Sequence, residues 1–281
     1  MSLRLYTLYS GSSGNAAFLR VGELRLLIDA GRSYRALKEA LAAIGESPDK
    51  IDAVLLTHEH IDHVGALRML CKKHALAVYA YEPCAMALSQ GTHPDTDAIR
   101  ACLRPFADET PFSLCDRAGG AVTVTPFHVP HDSAACVSYR IEGAGHAVGY
   151  ATDIGYATRG LLSHLCGCDT LVLEANHDLA LLREGPYPAH LKARILSEGG
   201  HLSNPDSARC CVHLAQNGAR RILLAHLSEQ NNTPLLAFRT VYTALQEQGL
   251  CDTCTVAVAL RDAPTCLYDT ERTQKEASLS C

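Results

Sequence analysis

Between Thr57 and Leu67 the chain reads THEHIDHVGAL, which puts His58, His60, Asp62 and His63 within six consecutive positions, directly after the apolar run IDAVLLT. Burying several imidazoles and a carboxylate without partners costs on the order of 2 kcal/mol or more per unsatisfied group. Such a cluster needs compensation, and a metal ion is the natural candidate. Along an extended segment side chains alternate faces, so His58, His60 and Asp62 are expected to converge while His63 points elsewhere. That arrangement can feed two neighbouring cations. Imidazole and carboxylate donors suit zinc, and also manganese or iron. A mononuclear centre takes three protein ligands; two metals need more, supplied by distant segments.

Other candidate donors fall where apolar runs end. FHVPHDS offers His128 and His131, YATDIG offers Asp153, and LLAHLSEQNN offers His226. Glu174 closes the run in LEANHD, and His201 precedes SNPDSA, where Ser203 or Asn204 can cap a helix and Pro205 suits its first turn. The small residues of YSGSSGN, residues 9–15, can expose N–H groups and hydroxyls as a cradle for a phosphate or for neighbouring metal loops; they read equally as a plain hairpin turn. Arg183, Lys192 and Arg194 flank GPYPAH, and Arg220 with Arg221 precede a strand. These are candidates for phosphate contacts or simply solvated surface. Asn231 and Asn232 either face the cleft or belong to a helix cap ahead of Thr233 and Pro234.

The elements that must position these groups alternate along the chain. LRLYTLYS reads as a strand, AAFLRVGELRLLIDAG as two strands around a VGE turn, and SYRALKEALAAIG as a helix with Leu37, Leu41 and Ile44 on one face and Gly45 as its stop. The strand IDAVLLT, the helix VGALRMLCKKHA and the strand LAVYAYE follow; residues 85–118 read as helical and irregular. Strands are expected at AVTVTPFHV, AACVSYRIEG, GHAVGYATD, CDTLVLEAN, RILLAHL and TCTVAVAL, with helices around 188–198 and 205–217 and at TPLLAFRTVYTALQEQG. Strand runs separated by one or two helices imply a layered α/β protein.

The bulk numbers set limits. A chain of 281 residues with 47% hydrophobic content can bury a large core, and its net charge of -5 argues against non-specific nucleic-acid binding through many phosphate contacts. It does not exclude gripping a strand end at a metal site. The start lacks a basic region followed by a long apolar one, and no apolar run reaches the roughly 18 residues of a membrane span. With 13 cysteines, an odd count, reduced thiols in a cytoplasm are expected. CGC (Cys166, Cys168) and CDTC (Cys251, Cys254) allow a structural zinc site, or are ordinary buried thiols.

Taken in order, Asp29 in LLIDAG, the HEHIDH cluster, His131, Asp153 and His226 resemble the ordered motifs of the metallo-β-lactamase fold superfamily, over nearly the whole chain. The resemblance implies a metallo-β-lactamase-type αββα sandwich, with residues 1–269 as one domain and 270–281 as a flexible tail. It implies one cation on His58, His60 and His131, a second on Asp62, His63 and His226, Asp153 between them, and Asp29 orienting ligands from behind. His60 stands where the flavo-diiron branch carries Glu. Glu174 with His201 resembles the Glu–His element of transfer-RNA 3′-processing nucleases, in which the His acts near the leaving group. SGSSGN, PHDS, EANHD, GPYPAHLKARILSEGGHLSN and AHLSEQNN together are similar to the YycJ/WalJ (VicX) subfamily. That likeness implies a cytoplasmic metal-dependent hydrolase, a 5′→3′ exodeoxyribonuclease acting on DNA, with RNA as another candidate substrate. Its hydroxide would be shared by two divalent cations, Zn or Mn with Fe as a further candidate; Asp62, Glu174 and His201 would be catalytic. Rival readings are a hydrolase of esters, thioesters, cyclic phosphodiesters or β-lactams on the same fold, and a non-catalytic regulator.

Overall fold

A computed structural model describes residues 2–90, 96–115 and 119–271. Its first half contains β1 (Leu3–Tyr9), β2 (Ala16–Val21), β3 (Leu24–Ile28), α1 (Tyr34–Ala43), β4 (Ala53–Leu55), α2 (Ile61–Val64), α3 (Leu67–His74), β5 (Ala77–Tyr81), α4 (Glu82–Ser89), α5 (Thr96–Cys102) and β6 (Leu103–Phe106). The second half runs through β7 (Phe112–Cys115), β8 (Ala121–Val129), β9 (Cys136–Gly143), β10 (His146–Ala151), α6 (Arg159–Leu165), β11 (Thr170–Glu174), α7 (Leu179–Glu184), α8 (Ala189–Ile195), α9 (Asn204–Gln216), β12 (Arg221–Ala225), α10 (Pro234–Glu247), β13 (Thr255–Val258) and β14 (Thr265–Asp269).

The two halves build alike. One sheet has the order β14-β1-β2-β3-β4-β5-β6 and the other β13-β12-β11-β10-β9-β8-β7. In each, antiparallel strands lead into a parallel run, β3 to β6 and β10 to β13. Alternation along the strands makes both faces of each sheet apolar. Leu5, Leu19, Ile28 and Leu55 meet Val124, Tyr139, Val172 and Leu223 between the sheets. On the outer face of the first sheet Phe18, Leu27 and Val54 pack on Leu37 and Leu41 of α1 and Leu70 of α3. On the other outer face Leu171, Leu173 and Leu224 pack on Leu161 of α6, Leu214 of α9 and Val241 of α10. The layers are therefore αββα, as the sequence leads one to expect. Removing a large side chain from any of these three layers costs about 2–5 kcal/mol.

Helix starts follow the sequence. Ser33, Ser203 and Thr233 accept hydrogen bonds from Ala36, Asp206 and Leu236 backbone N–H groups, so Ser203, not Asn204, is the cap before Pro205. Edge strands differ from expectation. Residues 85–118 hold β6 and β7 beside two helices; β6 carries Pro105 and exposes its middle residues, so it lacks a strand's apolar signal. Thr265–Asp269 form β14, paired with β1, and Asp269 takes hydrogen bonds from Arg4 Nε (3.0 Å) and Tyr6 Oη (2.6 Å). Thr270 is still docked on Leu3; of the expected tail, residues 272–281 lie outside those described. No helix among the described residues is long and apolar enough to cross a membrane.

Candidate metal centre

The parallel strands aim their C-terminal ends at one rim, where both halves contribute polar residues. Asp29 follows β3, Thr57 and His58 follow β4, His131 follows β8, Asp153 follows β10, Glu174 ends β11 and His226 follows β12. Asp29, Asp153 and His226 adopt φ values of 61°, 59° and 57°. That left-handed conformation costs a non-glycine residue about 1–2 kcal/mol. Each of the three lies one or two residues past the end of its strand.

Four groups of donor atoms lie close together: His58, His60 and His131; Asp62, His63 and His226; His58, His63 and Asp153; and Asp153, Glu174, His201 and His226. Asp153 lies between the first two, with Oδ2 3.4 Å from His63 Nε2 and Oδ1 3.4 Å from His226 Nε2 and 3.9 Å from His131 Nε2. His63 does not point away as alternation suggests. The chain leaves extended geometry at Ile61 and enters α2, which brings the His63 ring within 4.1 Å of His58.

Hydrogen bonds behind the rings fix which nitrogen faces inward. His63 Nδ1 donates to Asp29 Oδ2 (2.8 Å), and His226 Nδ1 donates to Glu174 Oε1 (2.8 Å). The Thr57 hydroxyl donates to Asp29 (2.9 Å) and accepts from His58 Nδ1 (3.0 Å); His131 Nδ1 contacts the Gly200 carbonyl (3.3 Å). Each ring thus presents its Nε2 inward. His58 Nε2, His226 Nε2 and Asp153 Oδ2 are buried with no protein hydrogen-bond partner. Convergent orphaned donors of this kind fit a divalent cation, and an isolated polar core would leave them costly. Burial opposes charge on Asp153, yet His226, His63 and His58 hold its carboxyl well below the usual range. Burial, followed by the neighbouring His63, pushes His58 well below an ordinary imidazole and keeps it neutral.

Glu174 is fully buried. Burial opposes its charge, but His201 and His226 bring its pKa down to about 2. Its Oε1 accepts from His201 Nδ1 (2.9 Å) as well as from His226, while Oε2 accepts from the N–H groups of Ile154 (2.8 Å) and Leu202 (3.0 Å). His201 lines a cavity of about 290 Å³ together with His60, Asp62, His131, Asp153 and His226.

Several residues escaped sequence reasoning. Thr57 ties Asp29 to His58, and Asn15 Nδ2 reaches Asp62 Oδ2 (3.3 Å) and His63 Nε2 (3.1 Å). Ser10 Oγ accepts from the His226 N–H (2.8 Å), so the YSGSSGN loop packs beneath the centre. Asn176 Nδ2 donates to the His226 carbonyl (2.9 Å). Thr57 and Asn15 lie inside THEHIDHVGAL and YSGSSGN, and the second stretch does sit against the metal loops, but their residue types alone single out no such contact.

Other candidates fall elsewhere. His128 is exposed against Tyr81. Asn231 and Asn232 are buried struts, Asn232 bonding Ala175, Asn176 and Asn204, rather than cleft residues. Arg221 pairs with Asp169 at the start of β12, five residues or roughly 16 Å from the rim at about 3.3 Å per residue, so neither it nor Arg220 faces the centre. Lys192 is bonded to the Arg183 carbonyl, and Arg194 alone of the five reaches the cavity. The zinc reading of the thiols fails: Cys166 lies near His213, Cys168 near Arg140, and no metal-competent group among the described residues unites the two pairs.

The family profile described as the beta-lactamase superfamily domain matches residues 24–227. The chain is 34% identical over 244 residues to exodeoxyribonuclease WalJ of Streptococcus pneumoniae, covering 86% of this chain and 88% of that one. It is likewise 34% identical over 252 residues to exodeoxyribonuclease YycJ of Bacillus anthracis, covering 89% and 91%. Among solved structures, the metallo-beta-lactamase fold protein YhfI from Bacillus subtilis matches with a TM-score of 0.68 at 18% identity, over 95% of this chain and 100% of the other, a likeness of fold alone.

Proposed function

This chain belongs to the beta-lactamase superfamily, and on that premise we propose that it is a metal-dependent phosphodiesterase, a 5′→3′ exodeoxyribonuclease. Two relatives named as exodeoxyribonucleases, alike over most of both chains, support the DNA substrate. The observation that carries the reading is His201. Its Nδ1 is anchored on buried Glu174, which leaves Nε2 as the nitrogen available to the cavity, and its ring stands 5.2 Å from those of His131 and His226. A cavity of about 290 Å³ lies near the lower end of ligand-pocket sizes, which suits one terminal nucleotide better than the middle of a duplex.

In this reading His58, His60 and His131 would hold one divalent cation and Asp62, His63 and His226 a second, zinc or manganese, with iron a further candidate. Asp153 stands between the two sets and would be available to either, and Asp29 holds His63 through Nδ1 with Nε2 facing inward. Bound cations supply Lewis acidity toward phosphoryl oxygens and lower the pKa of water toward neutrality. Asp62, at the cavity wall, orients the attacking water in line with phosphorus. His201 donates a proton from Nε2 to the leaving oxygen, and Glu174 keeps the ring oriented through its contact with Nδ1.

The test is incubation with Mn²⁺ or Zn²⁺ and end-labelled duplex DNA carrying a 5′ phosphate, beside an RNA duplex. Stepwise release from the 5′ end is expected, abolished in Asp62→Ala. His201→Ala should lower kcat by about 10²- to 10⁴-fold with bound metal unchanged; loss of metal in that variant would make His201 structural. Two metals per chain with no cleavage of DNA or RNA would move the function to a small phosphodiester or ester.

A further inference from the structure

Arg194 sits in the last turn of α8 and is the single Arg or Lys among the described residues lining the cavity. Around it the same helix region contributes an apolar strip of Tyr187, Leu191 and Ile195. Its Nε donates to Asp132 Oδ2. The guanidinium has no second partner among the described residues, and 55% of the side chain stays exposed. Asp132 follows His131 directly. Its Oδ1 lies 3.4 Å from His131 Nε2, and its N–H donates to the Gly199 carbonyl at 3.1 Å. One carboxylate therefore holds the cavity's only guanidinium at the edge of the metal centre, with most of that fork's N–H groups unused.

A guanidinium fork accepts a carboxylate or a phosphate in the same planar geometry. The site also needs such a group. Away from the metal centre a chain of net charge -5 offers a polyanion little attraction, so a cation at the cavity edge is what a strand would grip. The scissile phosphate must lie among the donors around Asp153. A cation at the rim, beyond His131, is placed for the next phosphate along.

We propose that Arg194 is a substrate-binding residue, taking a phosphate that neighbours the scissile one, and that Asp132 occupies the guanidinium until the substrate displaces it. The proposal rests on the nuclease reading and deepens it by naming the group that positions the strand. The neighbouring phosphate is either the terminal 5′ phosphate or the internal one on the 3′ side of the scissile bond.

The test compares wild type, Arg194→Gln, Arg194→Lys and Asp132→Asn, each loaded with Mn²⁺, on 5′-phosphorylated duplex DNA, on 5′-hydroxyl duplex DNA and on bis(p-nitrophenyl) phosphate, which has one phosphate only. Arg194→Gln should raise KM for DNA about 10- to 100-fold. Metal content and hydrolysis of the small diester should stay at wild-type levels, Lys should rescue in part, and Asp132→Asn should lower KM. A defect confined to 5′-phosphorylated ends assigns the terminal phosphate; an equal defect on both ends assigns the internal one. An unchanged KM for DNA, or a parallel loss on the small diester, overturns the role of Arg194. A KM in Asp132→Asn that is unchanged or higher overturns the displacement. Fluorescence anisotropy with a 5′-phosphorylated oligonucleotide decides separately: wild type that binds but does not cleave ends the nuclease reading, whereas equal binding by wild type and Arg194→Gln ends this one. Arg183→Gln, exposed and outside the cavity, serves as the control.

Discussion

A metal takes an imidazole only in its neutral form, and the carboxylates around His226 resist that form. Burial works against charge on this ring, but Asp153, Asp62 and Glu174 outweigh it and raise its pKa to about 10. Against the same opposition from burial, Asp153 and Asp29 raise His63 well above 6.5. At pH 8 the metal-free centre therefore holds the extra proton on His226, with His63 shifted in the same direction, and metal uptake expels it. Affinity for the cation should climb about tenfold per pH unit for each proton displaced, until His226 is neutral near pH 10. Stability of the metal-free protein carries the matching signs. The His226 contribution is complete below its ordinary value of 6.5 and is lost as pH rises through about 10. The Glu174 contribution is complete above 4.5 and is lost as pH falls through about 2. Adding Zn²⁺ to metal-free protein in weak buffer at pH 8 should release about one to two protons per chain; no release would mean that the rings are neutral beforehand. The donors themselves were legible, because four metal-type side chains in six positions have few other uses. Thr57 was not. A threonine beside a histidine is common, and only the fold brings Asp29 within 2.9 Å of its hydroxyl.

Strand ends and glycines hold these residues in register. The loop after β10 and the turn after α8 meet where Gly155 has no side chain: a Cβ there would stand 1.8 Å from the Glu198 carbonyl oxygen. Gly200 is equally confined, its Cβ position 2.1 Å from the Ile195 carbonyl oxygen. The first contact spaces Asp153 from His201, since each lies two or three residues from it. Gly155→Ala should push the two loops apart, costing about 1–3 kcal/mol of stability and lowering turnover more than Gly160→Ala, an exposed position in α6 whose Cβ would meet only Thr158 Oγ1, at 3.6 Å. Thermal melts and DNA cleavage on the two variants check this; equal behaviour would show that the loops slide freely. Elements were readable from sequence where both faces are buried, as in β11, or where a cap and an apolar stripe coincide, as in α1. They were unreadable at the sheet edges. β6 and β14 owe their strand geometry to a neighbouring strand rather than to their own pattern. Strand lengths were overread for a related reason: LLIDAG, YATDIG and LLAHLS continue in apolar or neutral residues, while the backbone has already turned at Asp29, Asp153 and His226.

The two halves of the molecule meet at the centre from opposite sheets. His58, His60, Asp62 and His63 come from the first half, and His131, Asp153 and His226 from the second. The apolar layer between the sheets already joins the halves through residues such as Leu55 and Val172. At the rim, though, the joining is left to buried polar atoms without protein partners, among them His58 Nε2 of the first half and His226 Nε2 of the second. A cation held by donors of both halves binds the folded chain and not the unfolded one, so it adds stability by mass action. Free metal at about 100 times its Kd contributes about 2.7 kcal/mol. At about 2–4 °C per kcal/mol for a chain of this size, that is a rise in Tm of roughly 5–10 °C. His226→Ala removes a donor of the second half and should lose much of the rise; its metal-free Tm should fall as well, because buried Glu174 and Asp153 lose a positive partner. Scanning calorimetry with chelator and with added Zn²⁺ or Mn²⁺ reads both quantities. A wild-type Tm indifferent to metal would mean that the donors do not hold a cation across the two sheets, and the metal-dependent chemistry proposed for the rim would then lack its centre.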